Sequence, residues 1–137
     1  MKFDHVGLVV ADIDGYCRSF LTPALGVPPV STIFTDPLQR SKVAFAVTDN
    51  GVRIELIEPL GEDSPVAEIL KRKRGGLHHL CFAAEKFEED MARLIRHGCL
   101  IISPPKPAVA FNNRRVVFFF TPTFEVIELV EEETRRS

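Results

Sequence analysis

The sequence predicts an α+β fold made of two tandem βαβββ modules. Two observations carry this expectation: a short pattern that occurs twice, and the order of strand-like and helix-like periodicity around each copy. Phe3-Asp4-His5-Val6-Gly7-Leu8 matches Leu77-His78-His79-Leu80-Cys81-Phe82, and Arg53-Ile54-Glu55-Leu56-Ile57-Glu58 matches Val126-Ile127-Glu128-Leu129-Val130-Glu131. The histidines are 79 − 5 = 74 positions apart and the glutamates 128 − 55 = 73, so the register holds at both landmarks. Residues 1–62 are expected to form the first module, 63–76 a connector and 77–137 the second. A chain of 137 residues fits one structural domain.

Each element follows from local chemistry. Residues 3–10 alternate His5 and Gly7 against Val6 and Leu8, as a half-buried strand does. Asp12 or Asp14 can cap a helix carrying Ile13, Cys17, Phe20 and Leu21, with Pro23 expected to distort its last turn and Gly26-Val27-Pro28-Pro29 to end it. Strands follow at 42–48 and 52–58, joined through Thr48-Asp49-Asn50-Gly51, whose Asn-Gly pair favours a tight antiparallel hairpin. Ser64-Pro65 reads as a cap and a first-turn proline, opening a short helix through Val66, Ile69 and Leu70. Lys71-Arg72-Lys73-Arg74 then complements the helix dipole before Gly75-Gly76 breaks the helix; the alternative for these cations is a coenzyme phosphate clamp. The second half repeats the order: a strand at 77–83, a helix from Phe87 to His97 stopped by Gly98, and strands near 99–103, 114–120 and 125–131.

Composition narrows the function. With 45% hydrophobic and 26% charged residues and a formal net charge of −2, nothing in the electrostatics favours a nucleic acid or an anionic membrane. No apolar run approaches the ~18 residues of a membrane span, and Met1-Lys2-Phe3-Asp4 leads straight into a strand, so the expected location is cytoplasmic. Three cysteines without a close pair, Cys17, Cys81 and Cys99, point to reduced thiols.

Strand alternation places Glu55 on a face with Arg53 and Ile57, and Glu128 on a face with Val126 and Val130. A carboxylate among apolar neighbours is costly to bury unless it is paired or bound to a cation. Two imidazoles and two carboxylates suit one divalent ion (Co, Mn, Ni, Zn or Fe), with two open positions left for substrate oxygens. His5, Glu55, His79 and Glu128 are therefore the candidate metal ligands; alignment with His5 selects His79 over His78. A closed structural zinc site would more commonly use cysteine.

With these residues in place, the chain resembles the vicinal oxygen chelate (glyoxalase/bleomycin resistance/dioxygenase) superfamily, nearly end to end. Within it the sequence is most similar to the methylmalonyl-CoA epimerase family, through Glu58-Pro59-Leu60-Gly61-Glu62-Asp63-Ser64-Pro65-Val66-Ala67 and Gly75-Gly76-Leu77-His78-His79. The resemblance implies a cupped, open-barrel mixed sheet around the metal site, a homodimer, and a small-molecule substrate that is an acyl-CoA. It also implies an isomerase that stabilises the enolate of a small acyl thioester, with His5, Glu55, His79 and Glu128 in the ligand positions. Family members often carry glutamine where Glu55 stands, and a second carboxylate resembles the glyoxalase I arrangement. A glyoxalase-like lyase or isomerase, or a non-catalytic small-molecule binder, are the alternatives.

The acidic residue these epimerases usually carry before the third element is absent from Asp36-Pro37-Leu38-Gln39-Arg40, where Leu38 stands instead. Asp36, Lys42 and the ligand carboxylates Glu128 and Glu55 are then the candidate bases, and the two glutamates are the catalytic residues expected here. Arg114 and Arg115 can hold an acidic substrate group bidentately, or form a solvated hairpin turn. Phe118, within Phe118-Phe119-Phe120, is expected to line the substrate pocket.

Overall fold

The computed structural model describes residues 1–73 and 75–133. Its strands are β1 (Lys2–Val9), β2 (Phe34–Asp36), β3 (Ser41–Val47), β4 (Arg53–Pro59), β5 (Gly76–Ala84), β6 (Leu100–Ala108), β7 (Arg114–Phe120) and β8 (Val126–Glu131). The α-helices are α1 (Ile13–Tyr16), α2 (Thr22–Leu25), α3 (Ala67–Lys73) and α4 (Phe87–Arg96). The architecture is α+β with mixed pairing, and the chain divides into two compact units: His5–His78, and Met1–Asp4 with the segment from His79 onward.

In the unit His5–His78 the strand order is β2-β3-β4-β1. β1 and β4, separated by the helices, pair in parallel with Gly7 opposite Glu55, whereas β3 and β4 form the expected hairpin with Phe45 opposite Glu55. The turn is looser than a two-residue connection. Gly51 at φ +86° returns its N–H to the Thr48 carbonyl at 2.9 Å, and Thr48 N–H reaches Val52 O at 3.0 Å. β2 escaped the periodicity argument because three residues are too few to display alternation.

Asp12, not Asp14, is the N-cap of α1, its Oδ2 accepting from Gly15 N–H at 3.2 Å. The distortion expected at Pro23 lies upstream of it: Cys17–Leu21 is a π-turn, with Thr22 N–H bonded to Cys17 O. Proline cannot donate to a carbonyl one turn back, and the wider turn accommodates that loss. Ile13, Cys17 and Leu21 are buried with Leu56, Ala44 and Ala46, while Phe20, expected on the same apolar stripe, is 46% exposed and contacts Tyr16 instead.

In the connector, α3 opens at Ala67 instead of Pro65, after a turn in which Ser64 O accepts from Ala67 N–H. The Ser64 hydroxyl has no hydrogen-bond partner among the described residues, so it does not cap α3 as expected. Within the basic run, Lys71 and Arg72 pair with Glu68 one turn back, and Arg74 lies outside the described residues.

The other unit repeats the pattern as β5-β8-β7-β6, with β5 parallel to β8 and the remaining pairs antiparallel. α4 ends at Arg96, followed by His97 and then Gly98 at φ +94°. Ala84, Phe87, Cys99, Val117, Phe119 and Leu129 form its core. β6 is longer than the sequence suggested, running through Pro104, Pro105 and Pro107. Proline removes a ladder donor and is tolerated at an edge; the register of β6 slips twice, between Ile101 and Ser103 and between Ser103 and Lys106.

Candidate functional site

In the first unit, strand parity sends Leu8, Ala44, Ala46, Ile54 and Leu56 toward the helices and leaves His5, Phe45, Arg53 and Glu55 on the opposite face. His5 is fully buried and Glu55 is 5% exposed, with His5 Nε2 at 3.7 Å from Glu55 Oε1. Phe45, directly across the ladder from Glu55, meets the His5 ring edge-on at 5.9 Å between centroids. The Arg53 guanidinium lies over the Phe45 ring, 4.5 Å from its centroid.

The second unit builds the same device. Cys81 stands opposite Glu128 on β5, and Phe118 stands opposite Glu128 on β7. His79 Nε2 is 3.0 Å from Glu128 Oε1, and His79 and Glu128 are 4% and 3% exposed. The His79 and Phe118 rings are 5.4 Å apart at 85°. Each unit thus offers one imidazole nitrogen and one carboxylate oxygen from a dry strand face. Borderline nitrogen and hard oxygen donors fit a divalent transition ion, and a nearby cation would offset the cost of burying each carboxylate.

His79 is buried and its neighbour His78 half-buried, as alternation along β5 requires. Cys81 is fully buried. Arg114 shares strand parity with Phe118; its Nε donates to Phe111 O at 3.0 Å and its Nη1 to Glu131 O at 3.1 Å. The structure does not bring Arg115 to that face. Its guanidinium lies 4.7 Å from the Phe87 ring centroid on α4 and contacts Glu131 Oε2 and Glu88 Oε1, each at 2.6 Å. Those hydrogen bonds hold the Glu131 and Glu88 carboxyls below the ordinary carboxylate range.

The remaining base candidates are engaged elsewhere. Lys42 Nζ is 3.7 Å from Glu58 Oε2, on the helix-bearing face, and Glu58 Oε1 accepts from the Ile13 N–H that opens α1. Asp36 is buried and its Oδ1 accepts from Leu38 N–H and Gln39 N–H at 3.0 and 3.1 Å, closing its own turn. Two features escaped the sequence reading: Phe45 itself, and the contact that sets the Arg53 guanidinium over its ring. The first left a signal: Phe45 to Phe118 is 118 − 45 = 73, the glutamate shift.

The family model described as Glyoxalase/Bleomycin resistance protein/Dioxygenase superfamily matches residues 4–118. An ethylmalonyl-CoA/methylmalonyl-CoA epimerase of Cereibacter sphaeroides is 29% identical over 90% of this chain and 90% of its own. The uncharacterized protein YqjC of Bacillus subtilis is 34% identical over 85% of this chain and 81% of its own. The crystal structure of methylmalonyl-CoA epimerase from Mycobacterium tuberculosis superposes with a TM-score of 0.82 at 26% identity, covering 97% of this chain and 89% of that one.

Proposed function

Since the chain belongs to the glyoxalase/bleomycin resistance protein/dioxygenase superfamily, we propose that it is a divalent-metal-dependent epimerase acting on a small malonyl-type acyl-CoA thioester. In this reading His5, Glu55, His79 and Glu128 are the ligands of one metal ion. The observation that carries it is the recurrence of a buried His Nε2 and Glu Oε1 pair at equivalent ladder positions of both units. The epimerase relatives supply the substrate class.

When bound, a divalent cation stabilises negative charge developing on the thioester oxygen, an effect of several kcal/mol. The protein's own groups do the rest. One of Glu128 and Glu55 accepts the α-proton, and the other, starting protonated, delivers a proton to the opposite face of the planar enolate, since Leu38 offers no carboxylate and Lys42 lies on the helix-bearing face. Phe118 stands directly across the ladder from Glu128, and Arg114 lies further along the same face of β7, where it can meet an acidic substrate group. Dry strand faces keep competing water from the carboxylates. A cytoplasmic homodimer completes the reading, on resemblance to the family; sedimentation velocity tests the assembly.

The test is proton NMR of methylmalonyl-CoA in deuterium oxide with metal-loaded protein. Exchange of the α-proton for deuterium is the expected result; its absence across Co, Mn, Ni, Zn and Fe rejects the proposal. One observation favours a second reading: Glu55 gives the ligand set two carboxylates, as in glyoxalase I. Conversion of a thiol conjugate, with no exchange on the acyl-CoA, would select it.

A further inference from the structure

The two half-sites are alike in His, Glu and Phe, yet a malonyl thioester is not symmetric: one arm ends in a thioester and the other in a free carboxylate. Some residue outside the repeated set must tell the two arms apart. Arg53 breaks the repeat on the Glu55 face with a charged group. It stands two positions before Glu55 on the same strand face, whereas Val126 stands two positions before Glu128. Resting on the function proposed above, we infer that Arg53 binds the free carboxylate of the acyl thioester and so sets which arm lies beside Glu55.

Three features suit Arg53 to this task. Its guanidinium is stacked over Phe45, and Phe45 is the cross-strand neighbour of Glu55 and the edge-on neighbour of His5, which fixes the cation one ring away from both. Stacking limits the rotamers of a long side chain, reducing the entropy lost when a carboxylate docks. A planar guanidinium is chemically matched to two carboxylate oxygens, a geometry that valine at the equivalent place cannot offer. Arg53 is half-buried, so water screens such a contact less than on an open surface.

The experiment compares two ligands in metal-loaded protein by titration calorimetry: methylmalonyl-CoA, which has the free carboxylate, and propionyl-CoA, which lacks it. Arg53→Gln is expected to weaken methylmalonyl-CoA roughly 10- to 100-fold, as for one charge-assisted contact, and to leave propionyl-CoA and bound metal unchanged. Arg53→Lys, keeping the charge without the fork, should recover part of the loss. Equal weakening of both ligands, a fall in bound metal, or no change in either would overturn the inference. Those outcomes require wild-type protein that exchanges the α-proton; wild-type protein that neither binds nor exchanges the thioester rejects the proposed function itself, and this inference with it.

Discussion

His79 and Phe118 meet edge to face, with ring centroids 5.4 Å apart and planes at 85°. The contact holds the imidazole in a single orientation with Nε2 toward Glu128, and the His5 and Phe45 rings repeat it in the first unit. Pre-orientation of a ligand is worth a factor in affinity. Phe118→Ala should raise the metal dissociation constant about tenfold and cost about 3 kcal/mol of stability, measured by metal titration and by denaturant unfolding.

Glu128 and Glu55 carry both the ligand role and the proton-transfer role in this account. Replacing both by glutamine keeps two oxygen donors and removes both bases. The double variant should lose α-proton exchange by at least ~100-fold while some metal remains bound. Wild-type exchange by a metal-loaded double variant would reject the assignment of these carboxylates as bases.

Arg115 gives a pH signature remote from the strand face of His79. Its hydrogen bond is the main cause that holds the Glu131 carboxyl below the ordinary carboxylate range. A depressed folded-state value contributes stability above the unfolded carboxylate value, and that contribution fades as pH falls through the depressed one. Arg115→Gln should therefore cost most near neutral pH, about 1 kcal/mol or less for so exposed a pair. The gap from wild type narrows in acid. Thermal melts across that range check both sign and size.

The connector has its own pressure point. Gly75 sits at φ +120°, and a Cβ there would lie 2.6 Å from the Val9 carbonyl oxygen at the end of β1. Gly75→Ala forces both a strained backbone and a backbone shift, so a loss of about 2 kcal/mol or more is expected. A lower denaturant midpoint at unchanged slope is the observable.

Legibility in the sequence followed the length of each signal. β1, β4, β5 and β8 were readable because the repeated pattern sits on them, and α4 because ten residues display a full apolar stripe ending at glycine. β2 was invisible at three residues, and the π-turn at Cys17–Leu21 has no periodicity of its own. Prolines disguised β6, since only pairing tells an edge strand from a loop. His–Glu pairing within each half was foreseeable from the repeated pattern, which together with strand parity chose His79 over His78. Arg53 was not, because its meaning depends on Phe45 lying across the ladder from Glu55, a long-range register that no local window contains.

The most direct measurement is the metal content per chain of purified wild-type protein and of His5→Ala, Glu55→Ala, His79→Ala and Glu128→Ala, by elemental analysis. Joint use of both halves predicts one divalent ion per wild-type chain and reduced occupancy in all four variants. Two ions per chain, or a full complement after either half has lost its histidine, would contradict it.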